Sequence, residues 1–264
     1  MPVPAFRFAP SPNGELHLGH AYSALLNARL AEDRGGRFLV RIEDIDTIRC
    51  LPALAARALD DLAWLGLAWE QPVRVQSEHF EYYHRMRQRL MAMDLLYPCF
   101  CSRKDIAGAA AGTDPEDQPL YSGSCRRLAK SELQRRLAAG LACSWRIDMA
   151  AACRQASSYE AERWGDVILV RKDIATSYHI AVVADDALQG ITHVVRGRDL
   201  LEATSIHILL QALLGFPQPH YHHHGLIAGT SGHKLSKSKG APSLRSLRLD
   251  GVTAEDIRRE LGFA

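Results

Sequence analysis

The order of apolar and polar positions near the start of the chain predicts a strand, a helix and a second strand. Val3–Ala9 is mostly apolar and runs into the turn-forming residues 10–14, Pro-Ser-Pro-Asn-Gly. From Gly19 onward, apolar residues recur every three or four positions, as on a helix with one buried face, until Gly35-Gly36. Phe38–Ile42 follows as the second strand. Because such a βαβ unit joins parallel strands, we expect a parallel sheet and an α/β fold.

Further elements are predicted in the same way. The predicted helices are Pro52–Gly66, Phe80–Leu95, Leu200–Leu214 and Thr253–Gly262, and the predicted strands are Asp166–Arg171, His179–Ala184, Thr192–Arg196 and Tyr221–Ile227. Residues 97–165 have a different character, with clustered cysteines and a polar loop. We therefore expect an α/β domain split between residues 1–96 and 166–242, an α/β insertion at 97–165 and a short helical tail at 243–264.

Composition restricts the class of protein. The chain has 264 residues, of which 47% are hydrophobic and 23% charged, as in ordinary globular proteins. No apolar run approaches the ~18 residues of a membrane span, and the N-terminus lacks a signal-peptide pattern. We expect a cytoplasmic monomer with no membrane partner. A net charge of +2 neither requires nor excludes a nucleic-acid partner.

The first chemical motif is His17-Leu18-Gly19-His20, placed between the first strand and its helix. The N–H groups at a helix N-terminus favour anions, and two imidazoles beside them can donate hydrogen bonds to a phosphate. Gly19 would let a nucleotide approach the backbone. A pair of helix-capping or surface histidines is the alternative interpretation.

The second motif is Lys234-Leu235-Ser236-Lys237-Ser238, near the other end of the chain. The sequence has 26 arginines and six lysines, and three of the lysines lie within residues 234–239. A lysine ammonium is compact and mobile, which suits a loop that follows a polyphosphate. Together the two motifs predict a nucleotide site.

These motifs are similar to the HIGH and KMSKS signatures of class I aminoacyl-tRNA synthetases. The stretch FRFAPSPNGELHLGHAYSALLNARLA, followed by FLVRIEDID, resembles the glutamyl branch of that family. The resemblance implies a Rossmann-type catalytic domain that activates an amino acid with ATP and Mg²⁺. It also implies that His17 and His20 stabilise the α-phosphate, that Gly19 belongs to the ATP site, and that Lys237, with Lys234, holds the leaving pyrophosphate.

The resemblance implies an L-glutamate pocket, and charge indicates which residues could form it. Glutamate has two carboxylates and one ammonium group, so a selective site needs arginine and an acid, placed at strand ends around the cleft. Arg7, Glu43 and Arg196 occupy such ends, and Tyr178 is expected to begin a strand. By resemblance, Arg7 and Arg196 bind carboxylates, Glu43 binds the ammonium group and Tyr178 donates its hydroxyl. Ser11 is a further donor in the turn after the first strand.

A metal site is predicted in the insertion. Cys99, Cys101 and Cys125 lie within 27 residues of one another, a pattern that suits Zn²⁺. The fourth ligand is left open between water and Tyr121, and free cysteines in a packed subdomain are the alternative. The glutamyl-queuosine branch of the family carries a similar C-x-C…Y-x₃-C pattern. That resemblance favours Tyr121 and one structural zinc ion.

The same branch suggests the function. Only 26 residues follow Ser238, too few for another folded domain, so we expect no anticodon-binding domain. By resemblance, the chain activates L-glutamate without tRNA and transfers it to the queuosine base at the wobble position of tRNA(Asp), meeting the anticodon stem-loop in its cleft. The alternatives are a truncated enzyme that charges a tRNA 3′ end, a non-catalytic nucleotide- or RNA-binding protein, and nucleotidyl transfer to another carboxylate.

Overall fold

A computed structural model describes residues 3–227 and 242–263, which form two compact units. The first unit comprises the described parts of Met1–Glu78, Leu188–Leu201 and Pro219–Ala264, and the second comprises His79–Ala187 and Glu202–Gln218. This grouping by contacts is a different division from the domain boundaries drawn from the sequence, which stay a prediction.

The described residues contain both strands and helices in mixed order. The strands are Ala5–Phe8 (β1), Arg37–Ile42 (β2), Glu70–Val75 (β3), Leu96–Cys99 (β4), Ser144–Ile147 (β5), Ile168–Val170 (β6), His193–Gly197 (β7) and His220–His224 (β8). The α-helices are Leu18–Asp33 (α1), Pro52–Trp64 (α2), Phe80–Ala92 (α3), Arg103–Ala109 (α4), Lys130–Ala138 (α5), Met149–Ala156 (α6), Tyr178–Leu188 (α7), Thr204–Leu214 (α8), Leu244–Leu249 (α9) and Ala254–Glu260 (α10). The predicted α/β class is confirmed, and β1, α1 and β2 follow one another as expected.

The first unit is built on a five-stranded sheet in the order β3-β2-β1-β7-β8, and all of its neighbouring strands are parallel. Parallel strands end at a common edge, and in open α/β sheets this carboxyl edge is where ligands bind. β1 leads from that edge into the turn before α1, and β2 ends there immediately before Glu43. The edge therefore carries both the predicted His17–His20 motif and Glu43.

The two faces of this sheet differ in chemistry. On the face that we call the helix face, Phe6, Phe8, Phe38 and Val195 pack with α1 in the core of the first unit. Side chains alternate along a strand, so the intervening residues lie on the opposite face. There Ala5, Leu39 and Val194 form a small apolar cluster, and Arg7 pairs in register with Leu39.

The second unit contains the antiparallel sheet β4-β5-β6. The prediction that His179–Ala184 forms a strand is wrong, because these residues lie within helix α7. All residues from Ile180 to Asp186 are buried, so the helix has no polar stripe to reveal its period. Val182 and Val183 add β-branched side chains, which favour a strand in sequence-based assignment.

The predicted helix Thr253–Gly262 is confirmed as α10, where Thr253 and Asp256 form a capping box. The preceding helix α9 was not predicted. Its N-cap, Ser243, accepts a hydrogen bond from the backbone N–H of Ser246. Within the described ranges, no helix is long and apolar enough to cross a membrane.

Candidate functional site

His17 and His20 form the N-terminus of α1 at the carboxyl edge of the sheet. The Nδ1 atom of His17 accepts a hydrogen bond from the Gly19 N–H at 3.1 Å, and Nδ1 of His20 accepts from the His17 N–H at 3.1 Å. The predicted alternative of helix-capping histidines is thus realised as a capping box. Because both rings accept through Nδ1, each neutral ring carries its proton on Nε2. Capping therefore leaves each imidazole able to donate a hydrogen bond.

The structure shows why residue 19 is a glycine. A Cβ atom at this position would lie 3.0 Å from Cε1 and 3.2 Å from Nδ1 of His17. A side chain at residue 19 would therefore press on the ring of His17, which would have to shift by a few tenths of an ångström. The ring centroids of His17 and His20 are 3.9 Å apart. Gly19 therefore leaves room for the His17 ring beside that of His20.

The lysine motif falls outside the described residues, so Lys234 and Lys237 have no described position. The chain is described again from Pro242, and it returns to the same helix end. Ser243 forms an isolated β-bridge with His17, and the Leu244 N–H donates to the carbonyl of Leu16 at 2.8 Å. The described residues that follow the lysine motif are thus anchored beside the histidine motif.

Three buried arginines share the sheet face opposite α1, which we call the arginine face. Arg7 is 4% exposed, Arg41 is fully buried and Arg196 is 5% exposed. They lie near the carboxyl ends of β1, β2 and β7, and the strand registers place them on one side. Arginine is rarely buried to this extent, and its fork of donors matches a carboxylate. The predicted Arg7 and Arg196 are therefore brought onto one face, together with Arg41.

Arg41 was not among the predicted site residues, and it is bonded to one that was. Its Nε and Nη2 atoms donate to Oε1 of Glu43 at 3.3 and 3.1 Å. Its Nη1 atom donates to Oε1 of Gln189 at 2.9 Å. A charge inside the apolar strand Phe38–Ile42 was the signal in the sequence that could have revealed it.

Arg196 is held by hydrogen bonds and by a contact with an aromatic ring. Its Nε donates to Nε2 of His223 at 3.4 Å, its Nη2 donates to the Leu200 carbonyl at 3.2 Å, and its guanidinium lies 5.2 Å from the Tyr221 ring centroid. Burial, with the Arg196 charge, lowers the pKa of His223 to about 4. His223 therefore stays neutral at neutral pH and can accept from the arginine. Alternation along the predicted strand was the signal in the sequence, since it places His223 on the opposite face from His220, His222 and His224.

Ser11 and Tyr178 occupy different units. Ser11 is exposed in the turn after β1, and its Oγ lies 3.5 Å from Sγ of Cys50. Tyr178 does not begin a strand as predicted; it is the first residue of helix α7 in the second unit. There its ring packs edge-on against His207, with centroids 5.5 Å apart. The predicted roles of both residues in binding glutamate stay predictions.

The predicted cysteines do come together in the second unit. One ligand atom from each of Cys99, Cys101 and Cys125 lies within 4.8 Å of the others. Sγ atoms of Cys101 and Cys125 are 3.6 Å apart, far longer than a disulfide. Two sulfurs at tetrahedral positions around zinc, each about 2.3 Å from it, would be separated by roughly 3.8 Å. The donor set and its spacing fit a metal ion.

Tyr121 lies against this cysteine cluster. Its Oη is 3.5 Å from Sγ of Cys99 and 3.9 Å from Sγ of Cys101, and it accepts from the Cys125 N–H at 2.8 Å. Burial raises the pKa of the Cys99 thiol, but hydrogen bonding with Tyr121 and Arg146 outweighs burial, so this pKa is lowered. Burial and Cys125 raise the pKa of Cys101 to about 11. Cys99, Cys101 and Cys125 could hold a metal ion, with Tyr121 within reach.

Comparison with known sequences identifies relatives along nearly the whole chain. The family model for tRNA synthetases class I (E and Q), catalytic domain, matches residues 5–261. The chain is 46% identical to a glutamyl-Q tRNA(Asp) synthetase of Rhodobacter capsulatus, covering 97% of this chain and 99% of that protein. It is 36% identical to glutamate--tRNA ligase 2 of Syntrophus aciditrophicus, of which it covers 57%.

Solved structures agree with this fold. Glutamate-tRNA synthetase from Elizabethkingia anophelis superposes with a TM-score of 0.74 at 26% identity, over 90% of this chain and 53% of that one. The chain thus spans about half the length of that enzyme. Methionyl-tRNA synthetase of Mycobacterium tuberculosis has a TM-score of 0.63 at 14% identity and shares the fold alone. The chain belongs to the catalytic-domain family of class I tRNA synthetases of the E and Q group.

Proposed function

We propose that this protein activates L-glutamate with ATP in the absence of tRNA and transfers the glutamyl group to queuosine at the wobble position of tRNA(Asp). One observation supports the first step above all others: the arginine face, with Glu43 at its margin, lies at the sheet edge that carries the His17–His20 pair. Similarity to glutamyl-Q tRNA(Asp) synthetases over nearly their full length supports the second step.

In the proposed complex, side chains whose charges are opposite to those of the amino acid bind it. Arg7 and Arg196 each bind one carboxylate of glutamate, and Glu43 binds its ammonium group. Arginine suits this role because its planar fork can donate two parallel hydrogen bonds to a carboxylate. Tyr178 and Ser11 add hydroxyl donors.

Activation then needs one oxygen of the α-carboxylate to attack the α-phosphorus of ATP. The bond between the α-phosphorus and the oxygen that bridges it to the β-phosphorus breaks, pyrophosphate leaves, and glutamyl-adenylate forms. Nε2–H groups of His17 and His20 donate to the α-phosphate as its negative charge increases, and the positive end of α1 adds to this effect. Lys234 and Lys237 hold the pyrophosphate. Mg²⁺ arrives with ATP and offsets phosphate charge.

The cysteine cluster has a separate role in the proposal. Cys99, Cys101, Cys125 and Tyr121 hold one structural Zn²⁺ ion within an insertion at residues 97–165, and no reaction step involves it. In the same proposal, residues 1–96 and 166–242 form the split catalytic domain, and residues 243–264 form a helical tail. The enzyme acts as a monomer in the cytoplasm, where its substrates are found.

Transfer is tested with radiolabelled glutamate and two forms of tRNA(Asp). One carries queuosine and the other guanine at the wobble position, and both lack the 3′-terminal adenosine so that ordinary charging cannot occur. We expect label only on the queuosine form. An isolated anticodon stem-loop with queuosine should also accept glutamate. Equal labelling of both tRNAs, or of neither, would contradict the proposed acceptor.

A second candidate function is charging of a tRNA 3′ end. It is favoured by the 36% identity to glutamate--tRNA ligase 2. This candidate predicts label on intact tRNA regardless of the wobble base, and loss of label when the terminal adenosine is removed. The queuosine and guanine forms of the tRNA, each compared with and without the terminal adenosine, therefore separate the two acceptors.

The lysine motif gives a further test. Lys237→Ala should lower the rate of glutamate activation by about 2–4 kcal/mol of transition-state stabilisation, because a cation facing the leaving group is lost. Folding should be unaffected, since a charged lysine side chain contributes little to an apolar core. Lys239→Ala is the matched control from the same stretch and should retain most activity. An unchanged rate in Lys237→Ala would remove Lys237 from the mechanism.

A further inference from the structure

Glu43 is not held by its own strand alone. Two donors of Arg41 converge on the same carboxylate oxygen, Oε1, at 3.3 and 3.1 Å. The side chain of Arg41 is fully buried and that of Glu43 is 10% exposed. Two donors that meet at one oxygen resist displacement of the carboxylate in either direction, more than a single hydrogen bond would.

Arg41 is itself anchored on its third donor. Nη1 bonds Oε1 of Gln189 at 2.9 Å, in the segment that follows α7. The planar guanidinium is thus bonded on two sides, to Gln189 and to Glu43. Because the guanidinium is rigid, a partner that fixes one nitrogen also fixes the direction of the others. Gln189 therefore sets the orientation of the fork that holds Glu43.

A second arginine–glutamate pair on the same strand shows what is special about this one. Arg37 and Glu70 also form a two-point ion pair, with both hydrogen bonds at 2.6 Å. Their side chains are 41% and 42% exposed, at the opposite end of β2. An exposed pair of this kind contributes little to stability and orients nothing else. Burial, a second anchor and a position at the carboxyl edge distinguish Arg41.

We propose that Arg41, anchored by Gln189, is a positioning residue that orients the Glu43 carboxylate toward the ammonium group of the amino acid. A carboxylate offers about four acceptor positions, so two bonds from Arg41 are compatible with an ammonium donor. Arg41 also places a positive charge within hydrogen-bond distance of the Glu43 carboxylate. The assignment rests on the proposed function of Glu43.

The test compares two ligands that differ only in the group that Glu43 would read. Glutarate has the carbon chain and both carboxylates of glutamate but lacks the amino group. Calorimetric titration of the purified protein gives an affinity ratio for glutamate over glutarate. We expect the wild type to prefer glutamate. Gln189→Leu and Arg41→Lys should reduce this ratio by about tenfold, and Arg41→Met by up to about a hundredfold, because Glu43 loses its fixed direction.

Arg37→Met is the matched control, since it removes an arginine from the same strand and leaves the ratio unchanged. A purely structural role for Arg41 would weaken both ligands equally, so an unchanged ratio in Gln189→Leu and Arg41→Lys would overturn the assignment. Equal binding of glutamate and glutarate by the wild type would overturn it as well. If Arg41→Met does not fold, the other two variants decide.

Failure of the proposed function is distinguishable from failure of this assignment. A wild type that prefers glutamate over glutarate, and loses that preference in the variants, supports the positioning role even if no ATP-dependent activation or transfer is found. Such a protein would contradict the proposed reaction alone.

Discussion

The two faces of the parallel sheet are made from the same strands and have opposite chemistry. On the helix face, Phe6 and Phe8 pack with α1 in an apolar core. On the arginine face, the alternate residue Arg7 is buried beside Arg41 and Arg196. One-residue alternation along a strand thus separates a stabilising surface from the surface that we propose binds the amino acid.

This difference shows how a buried site can be rigid without being apolar. The helix face fixes the strands, because its large side chains are excluded from water. The arginine face is built on the same fixed backbone. Its charged side chains would therefore need to move little to bind an anionic ligand. Substitutions on the two faces should consequently affect different measurements.

The largest effect is expected on the helix face. Phe6→Ala should lower the free energy of unfolding by about 3–5 kcal/mol, because a fully buried ring is replaced by a cavity. Chemical denaturation measures this loss, and the glutamate affinity of the folded fraction should be retained. Val3→Ala is the control, since Val3 is 56% exposed and its truncation should change stability by less than about 0.5 kcal/mol. Equal losses in both variants would contradict the assignment of this face.

Arg7→Met should affect the use of substrate rather than stability. Loss of a buried partner for a substrate carboxylate should reduce kcat/KM for glutamate by about 2–5 kcal/mol of transition-state stabilisation, while the dissociation constant for ATP is retained. Steady-state kinetics measures kcat/KM for glutamate, and calorimetric titration with ATP measures its dissociation constant. A fall in ATP affinity equal to the fall for glutamate would contradict a role for Arg7 in binding the amino acid alone.

The cysteine cluster provides a comparison outside the sheet. Cys101→Ser should remove bound zinc, and with it about 2.7 kcal/mol of stability if free zinc stands at a hundredfold its dissociation constant. Chelation of the wild type should have the same effect. Metal analysis and thermal unfolding measure the change. Cys143→Ser is the matched control, since Cys143 lies outside the cluster. A wild type with no zinc after gentle purification would contradict the assignment.

The smallest effect concerns His223 on the arginine face. Its pKa is lowered from 6.5 to about 4 in the folded protein, so between these values the unfolded chain binds a proton that the folded chain does not. Its contribution to stability is therefore fully present above pH 6.5 and is lost as the pH falls toward 4. Because the ring is partly solvated, we expect about 1 kcal/mol. His223→Gln should flatten the pH dependence of unfolding by that amount, and an unaltered slope would contradict it.

The start of the chain could be predicted because its signals are local. A turn-forming cluster, a helix with regular apolar spacing and a Gly-Gly stop lie in sequence order, and β1, α1 and β2 follow them closely. Strand β3, by contrast, was missed. It lies at the sheet edge, and its sequence Glu-Gln-Pro-Val-Arg-Val has the charge and proline that suit an edge but hide a strand.

The candidate site likewise contains residues that the sequence could reveal and residues that it could not. Arg7, Glu43 and Arg196 follow from strand ends and from the family resemblance, because both are visible in the sequence. The hydrogen bond from Arg41 to Gln189 joins residues 148 positions apart, and only folding brings them together. Tyr178 was placed on the wrong element because the buried helix α7 lacks a polar stripe.

The most direct test of the central claim, that the arginine face reads glutamate for activation by ATP, is amino-acid-dependent ATP–pyrophosphate exchange without tRNA. Glutamate, aspartate and glutamine are compared under the same conditions. The account predicts strong exchange with glutamate and little with the other two. Exchange that is absent with glutamate, or equal with glutamine, would contradict it, since glutamine lacks the second carboxylate that the arginines are proposed to bind.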